Sequence, residues 1–139
     1  MKNLVILGAG SAGTIMANHL NKSLPRSEWA ITIVDQYESH YYQPGFLFIP
    51  FGTYTEKDVV KSKRDFIPKG VKFVLSKIEK IVPEANQVQL ADDQVLSYDI
   101  LIVATGAKIE RTPIQGDTTQ WDRDVFDFYT LEGDRKSVV

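Results

Sequence analysis

Three glycines at the spacing Gly8, Gly10 and Gly13 stand in the stretch "LVILGAGSAG", and an acid, Asp35, follows twenty-two residues beyond the last of them. At such a spacing Gly8 permits a tight turn out of a strand, and Gly10 lets the backbone approach a pyrophosphate with no Cβ in the way. Gly13 lets a helix pack close to the sheet. A phosphate would then rest on the unpaired N–H groups of the first helical residues, Ser11 and Ala12, where the helix dipole is positive. Asp35 would accept hydrogen bonds from the hydroxyls of an adenosine ribose, and its charge would repel a 2′-phosphate. Its alternative is a solvated acid at the end of a strand. The pattern points to a dinucleotide and does not distinguish FAD from NAD.

The elements that must position these residues are legible nearby. Leu4 to Leu7 is an apolar run without polar alternation, as expected of a central parallel strand covered on both faces. From Ser11 to Leu24, residues Ile15, Met16, His19, Leu20 and Leu24 recur at helical spacing, and Pro25 stops the helix. "WAITIVD", Trp29 to Asp35, is a second strand ending on the acid. Strand, glycine turn, helix and strand make one βαβ unit.

Beyond it, "QYESHYYQPGFLFIPFG", residues 36–52, is crowded with aromatics, proline and glycine, and reads as a loop with a short helix or turn. A short helix is predicted after Thr55, with Thr55 as N-cap and Asp58 at the third helical position. Gly70 admits a strand. The text from Val71 to Gly106 holds several strand-like runs broken by "PEANQ" and "ADDQ", which predicts a small antiparallel meander returning to a buried parallel strand, Ile100 to Val103. The polar tail from Ala107 to Val139 ends in "TLEGDRKSVV", which could begin a helix without room to finish it.

Bulk properties bound the rest. A chain of 139 residues, 43% hydrophobic and 24% charged, has the composition of one globular domain. A net charge of −2 with interspersed signs offers no footprint for nucleic acid. There is no cysteine, so the chain carries neither disulfides nor thiolate metal sites, which agrees with a cytoplasmic location. The apolar run of four is too short for a signal-peptide core, and nothing approaches a bilayer-spanning stretch. His19 and His40 have no partner at metal-ligand spacing, so no metal is expected.

"YDILIVATGAK", Tyr98 to Lys108, resembles the second motif of flavoproteins with two dinucleotide-binding domains, the pyridine nucleotide-disulfide oxidoreductase superfamily. The resemblance implies FAD as cofactor, with Ala104, Thr105 and Gly106 letting the chain pass close to its pyrophosphate and ribitol; an ordinary strand-ending turn is the alternative. "SHYYQPGFLFIPFG", Ser39 to Gly52, is similar to the loop of sulfide:quinone oxidoreductases and, less closely, of single-subunit NADH:quinone dehydrogenases. It implies Tyr42, Gln43 and Pro44 as flavin neighbours, while Phe46 to Phe51 could equally be plain core. Lys77 and Ile78 fall where relatives pair strand backbone with the adenine ring, and Gln36 joins Asp35 in the same set.

The resemblance implies an α/β fold: a Rossmann-like FAD-binding domain with a parallel sheet and a small antiparallel meander, incomplete in this chain. Residues 1–110 would form the N-terminal half of that domain, and residues 111–139 a connector towards an NAD-type domain. The implied function is transfer of two electrons from sulfide or a related donor through FAD to a quinone. An NADH:quinone dehydrogenase and a non-catalytic FAD- or NAD-binding module stand as alternatives. Implied partners are a quinone and a small donor, sulfide or NADH, with peripheral association of the full-length protein at the inner face of the cell membrane and room for a homo-oligomer.

Two departures count. "WDRDVFDFYTLEGDRK" has no cysteine where sulfide:quinone oxidoreductases often carry one, which weakens sulfide as the donor. Full enzymes of the family also run to several hundred residues, so these 139 are expected to be an N-terminal portion, inactive alone and a poor binder of FAD.

Overall fold

The computed structural model describes residues 1–109, 127 and 129–131. They divide into two compact units, residues 1–40 with 62–106 and residues 41–61 with 107–139.

The first unit is built on β1 (Lys2–Leu7), whose last four residues are buried on both faces. Parallel β2 (Trp29–Asp35) and parallel β9 (Ile100–Val103) flank it, and β5 (Val71–Leu75) pairs in parallel with the far side of β2. The resulting strand order is β5-β2-β1-β9. Because successive side chains of a strand face opposite ways, Leu4 and Ile6 pack with Ile31 and Ile33 in one core, beside Met16 and Leu20 of α1 (Ser11–Ser23). Val5 and Leu7 face the other way, with Val34, Val74, Val88 and Leu90. Each such side chain contributes about 1.5–3 kcal/mol by leaving water.

The helix ends as its sequence dictates. Leu24, the residue before Pro25, is extended at ψ 137°, because proline clashes with a helical predecessor. Two asparagines anchor α1 to the connection into β5: Asn18 Nδ2 donates to the Phe66 carbonyl at 2.8 Å and Asn21 Nδ2 to that of Lys69 at 3.3 Å.

β6 (Ile78–Val82), β7 (Gln87–Leu90) and β8 (Val95–Ser97) form the antiparallel meander that covers the second core. Asn86, in the left-handed region at φ 51°, turns the chain between the first two.

Two expectations need correction. β5 does not belong to the meander; it extends the parallel sheet, pairing Ile31 with Val71 and Ile33 with Phe73. A run of alternating character carries no mark of which strand it will pair with. β9 has the expected parallel pairing but not the expected burial. It is the edge strand of the sheet among the described residues, and Ile100 and Val103 are exposed while Leu101 and Ile102 pack inward.

β3 (Ser39–Tyr41) and β4 (Val60–Ser62) pair with each other at the ends of the segment that enters the second unit. Within that unit a 3₁₀ helix spans Gln43–Phe48 and α2 spans Glu56–Val59. Thr55 is the N-cap of α2 as expected, and Asp58 Oδ2 accepts from the Thr55 N–H at 2.8 Å and from its hydroxyl at 2.6 Å. Gly45 is wedged where a Cβ would lie 2.6 Å from Val59 and 2.8 Å from Tyr42. Asp127 Oδ1 accepts from the Tyr129 and Thr130 amides at 3.0 and 2.7 Å. The helix expected in "TLEGDRKSVV" lies outside the described residues beyond Leu131.

Candidate functional site

In the first unit, the chain leaves β1 through Gly8, at φ 96°, a conformation that L side chains rarely adopt. Its N–H donates to the Val34 carbonyl at 2.8 Å, and the Ala104 N–H donates to the Leu7 carbonyl at 2.7 Å. The turn after β1 is thereby locked between β2 and the end of β9. A Cβ on Gly8 would collide with the Ala104 carbonyl. The fold therefore brings the glycine turn against Ala104 and Thr105, so two motifs almost a hundred residues apart in the chain become neighbours.

Gly10 is the N-cap of α1, no side chain caps the helix, and no acid lies in its first turn. Ser11 and Ala12 are exposed at this end. A Cβ on Gly10 would meet nothing within 4 Å, and the same holds for Gly106, at φ 76°. Gly13 is the opposite case: a Cβ there would run into the Gly8 carbonyl. Uncapped amides above open space form a cradle of the kind an anionic phosphate fills.

Asp35 ends β2 beside this cradle. Its Oδ2 accepts the Ala9 N–H at 2.7 Å, and its Oδ1 accepts the Tyr37 N–H at 2.9 Å. Asp35 is thus not a solvated strand-end acid; its side chain is 12% exposed and bridges the glycine turn to the end of β2. Gln36, next to it, is exposed.

Sequence reasoning missed Lys63. Its Nζ lies 2.7 Å from Asp35 Oδ2, with side chains 8% and 12% exposed. "KSKRDF" contains three cations, and nothing in their spacing marks the middle one for burial. Lys61 Nζ donates to the Lys57 carbonyl at 2.9 Å, and Arg64 pairs at 2.7 Å with Glu38 in the open. His40, near Lys63, is held below the usual imidazole range, first by burial and then by the Lys63 charge.

Lys77 accepts the Ala91 N–H on its carbonyl at 2.9 Å, and Ile78 packs against the second core. Tyr42, Gln43 and Pro44 belong to the second unit. There Tyr42 and Pro44 are exposed, and Gln43 Nε2 donates to the Tyr129 carbonyl at 3.2 Å. The run Phe46 to Phe51 divides: Phe46 is 1% exposed, whereas Leu47 is 54% and Phe51 82%. No group of three or more His, Asp or Glu side chains placed to hold a metal occurs among the described residues.

Parallel sheet, glycine turn, open helix N-terminus and strand-end carboxylate define a Rossmann-type dinucleotide-binding fold. The chain belongs to the pyridine nucleotide-disulphide oxidoreductase family, which it matches over residues 2–137. It is 34% identical over 113 residues to the mitochondrial sulfide:quinone oxidoreductase of Dictyostelium discoideum, covering 81% of this chain and 25% of that protein. Against a type II NADH:quinone oxidoreductase of Staphylococcus aureus it is 31% identical over 116 residues, covering 83% and 29%. The crystal structure of the sulfide:quinone oxidoreductase from Aquifex aeolicus superposes with a TM-score of 0.78 at 23% identity, over 96% of this chain and 30% of that one, a likeness of fold. The chain therefore spans about a quarter of the length of the curated relatives it matches.

Proposed function

We propose that this chain is the FAD-binding N-terminal portion of a flavoprotein oxidoreductase that passes two electrons from sulfide or a related donor to a quinone. The observation that carries the reading is the open cradle at Gly10 and the uncapped start of α1, with the Asp35 carboxylate held beside it by the Ala9 N–H. These features fit a dinucleotide, with phosphate on the amides of Ser11 to Gly13 and ribose hydroxyls on Asp35. Residues 1–110 are then the N-terminal half of the FAD-binding domain and residues 111–139 the connector.

FAD, when bound, supplies the two-electron chemistry. The chain's own residues hold it. Gly10 gives the backbone close approach, Gly8 and Gly13 shape the turn and seat the helix start beneath it, Gln36 flanks the Asp35 carboxylate, and Ala104 to Gly106 offer a surface without bulky side chains. Ile78 sits at the start of the strand assigned to the adenine, and Tyr42, Gln43 and Pro44 are the proposed flavin neighbours. The exposed Leu47, Phe48 and Phe51 support an apolar partner such as a quinone or the membrane that carries it. Among the described residues no helix is long and apolar enough to cross a membrane; the reading has the full-length enzyme peripheral, at the inner face of the cell membrane.

A second reading, an NADH:quinone dehydrogenase, draws on the 31% identity to the Staphylococcus aureus relative and on the lack of cysteine in this chain. An anaerobic titration of the complete enzyme, following the flavin absorbance band, separates them. Bleaching by sulfide supports the first reading. A flavin that ignores sulfide and bleaches with NADH supports the second, and one that neither donor reduces points to a non-catalytic binding module. The isolated 139 residues are expected to be inactive and to hold FAD weakly.

A further inference from the structure

Lys63 is the one cation buried among the described residues. An ammonium carries three N–H donors, and Asp35 Oδ2 is the acceptor in ion-pair contact with it, at 2.7 Å. A buried ammonium is costly unless it is paired, and this one sits against the very carboxylate that the glycine fingerprint assigns to an adenosine ribose. Burial, and then Lys63 itself, disfavour a second positive charge on the His40 imidazole. Glu38 and Arg64 cancel each other in solvent. The end of β2 is therefore close to electroneutral, although its sequence ends on an acid.

Resting on the nucleotide-site reading above, we propose that Lys63 determines specificity at the adenosine subsite: by neutralising Asp35 and placing an ammonium beside it, Lys63 makes the subsite tolerant of a 2′-phosphorylated ribose. A lone carboxylate at this position repels such a phosphate, and a nearby cation is what accommodates one. With Nζ and Oδ2 at 2.7 Å, any anion close to Asp35 also feels Lys63.

The test is binding of ADP and of 2′-phospho-ADP to flavin-free protein by calorimetry, for the wild type, Lys63→Met and Lys63→Arg. The wild type is expected to bind the two nucleotides within a fewfold of each other. Lys63→Met should weaken 2′-phospho-ADP about tenfold more than ADP, since the carboxylate is then unopposed. Lys63→Arg should restore the wild-type ratio. A purely structural role would weaken both nucleotides alike and leave the ratio unmoved, which overturns the proposal. So does a wild type that already rejects 2′-phospho-ADP a hundredfold, a result that needs no variant to fold. Wild-type protein that binds neither nucleotide nor FAD overturns the nucleotide-site reading together with this one.

Discussion

The Gly8 carbonyl occupies the place a side chain on Gly13 would need, so the third glycine of the turn serves the packing of the helix start against the end of β1. Gly10, two residues beyond Gly8, meets nothing at all. The two positions have different physical duties, and substitution should separate them.

Gly13→Ala is expected to destabilise the fold by roughly 3 kcal/mol or more, since the backbone it strikes cannot move without shifting β1. Gly10→Ala should leave the unfolding free energy within a few tenths of a kcal/mol, because its methyl group enters open space, while lowering flavin retention. Denaturant unfolding together with the flavin content of the purified full-length protein checks both. Equal loss of stability in the two variants would contradict the assignment.

Removing Asp35 strands the Lys63 ammonium in a buried place. Asp35→Ala should cost about 3–5 kcal/mol, the usual consequence of taking one partner from a buried ion pair. The double change Asp35→Ala with Lys63→Met should recover part of that loss. A double-mutant cycle in urea measures the coupling, and strictly additive losses would mean that the pair is not coupled.

Phe46 and Phe51 lie five positions apart in an aromatic run and have opposite fates, 1% and 82% exposed. Phe46→Ala should cost about 3–5 kcal/mol in unfolding free energy. Phe51→Ser should be nearly neutral for stability and instead weaken association of the full-length protein with liposomes, read by co-sedimentation.

His40 predicts a pH effect whose sign follows from its environment. Burial, and then Lys63, lower its pKa below the ordinary imidazole value of 6.5 in the folded protein. The unfolded chain therefore binds the proton more readily, and stability rises with pH across this window. The contribution is present in full above the unfolded value of 6.5 and is lost as pH falls through the lower folded value. His40→Gln should flatten the dependence of the urea midpoint on pH between about 5 and 7. A slope that survives the substitution would assign it to other groups.

The βαβ start was legible because its signals are local. Four contiguous apolar residues, three glycines, a helical period and a proline stop each act within a turn or two of the chain, and β1, α1 and β2 fall within two residues of where the sequence puts them. The small helix after Thr55 was legible for the same reason, since its cap and Asp58 are three residues apart.

What the sequence by itself determined, then, is the fold class and the course of the glycine turn. Tertiary structure decided the rest, because partner choice and burial are set by residues far away in the chain. β5 joined the parallel sheet through β2, and β9 kept two exposed positions at the sheet edge. Among the cations of "KSKRDF", Lys61 stayed at the surface, Arg64 found Glu38, and only Lys63 met Asp35, twenty-eight residues earlier in the chain. One-dimensional spacing cannot say which of three similar charges will be taken out of water, because the answer depends on which carboxylate the fold carries to it.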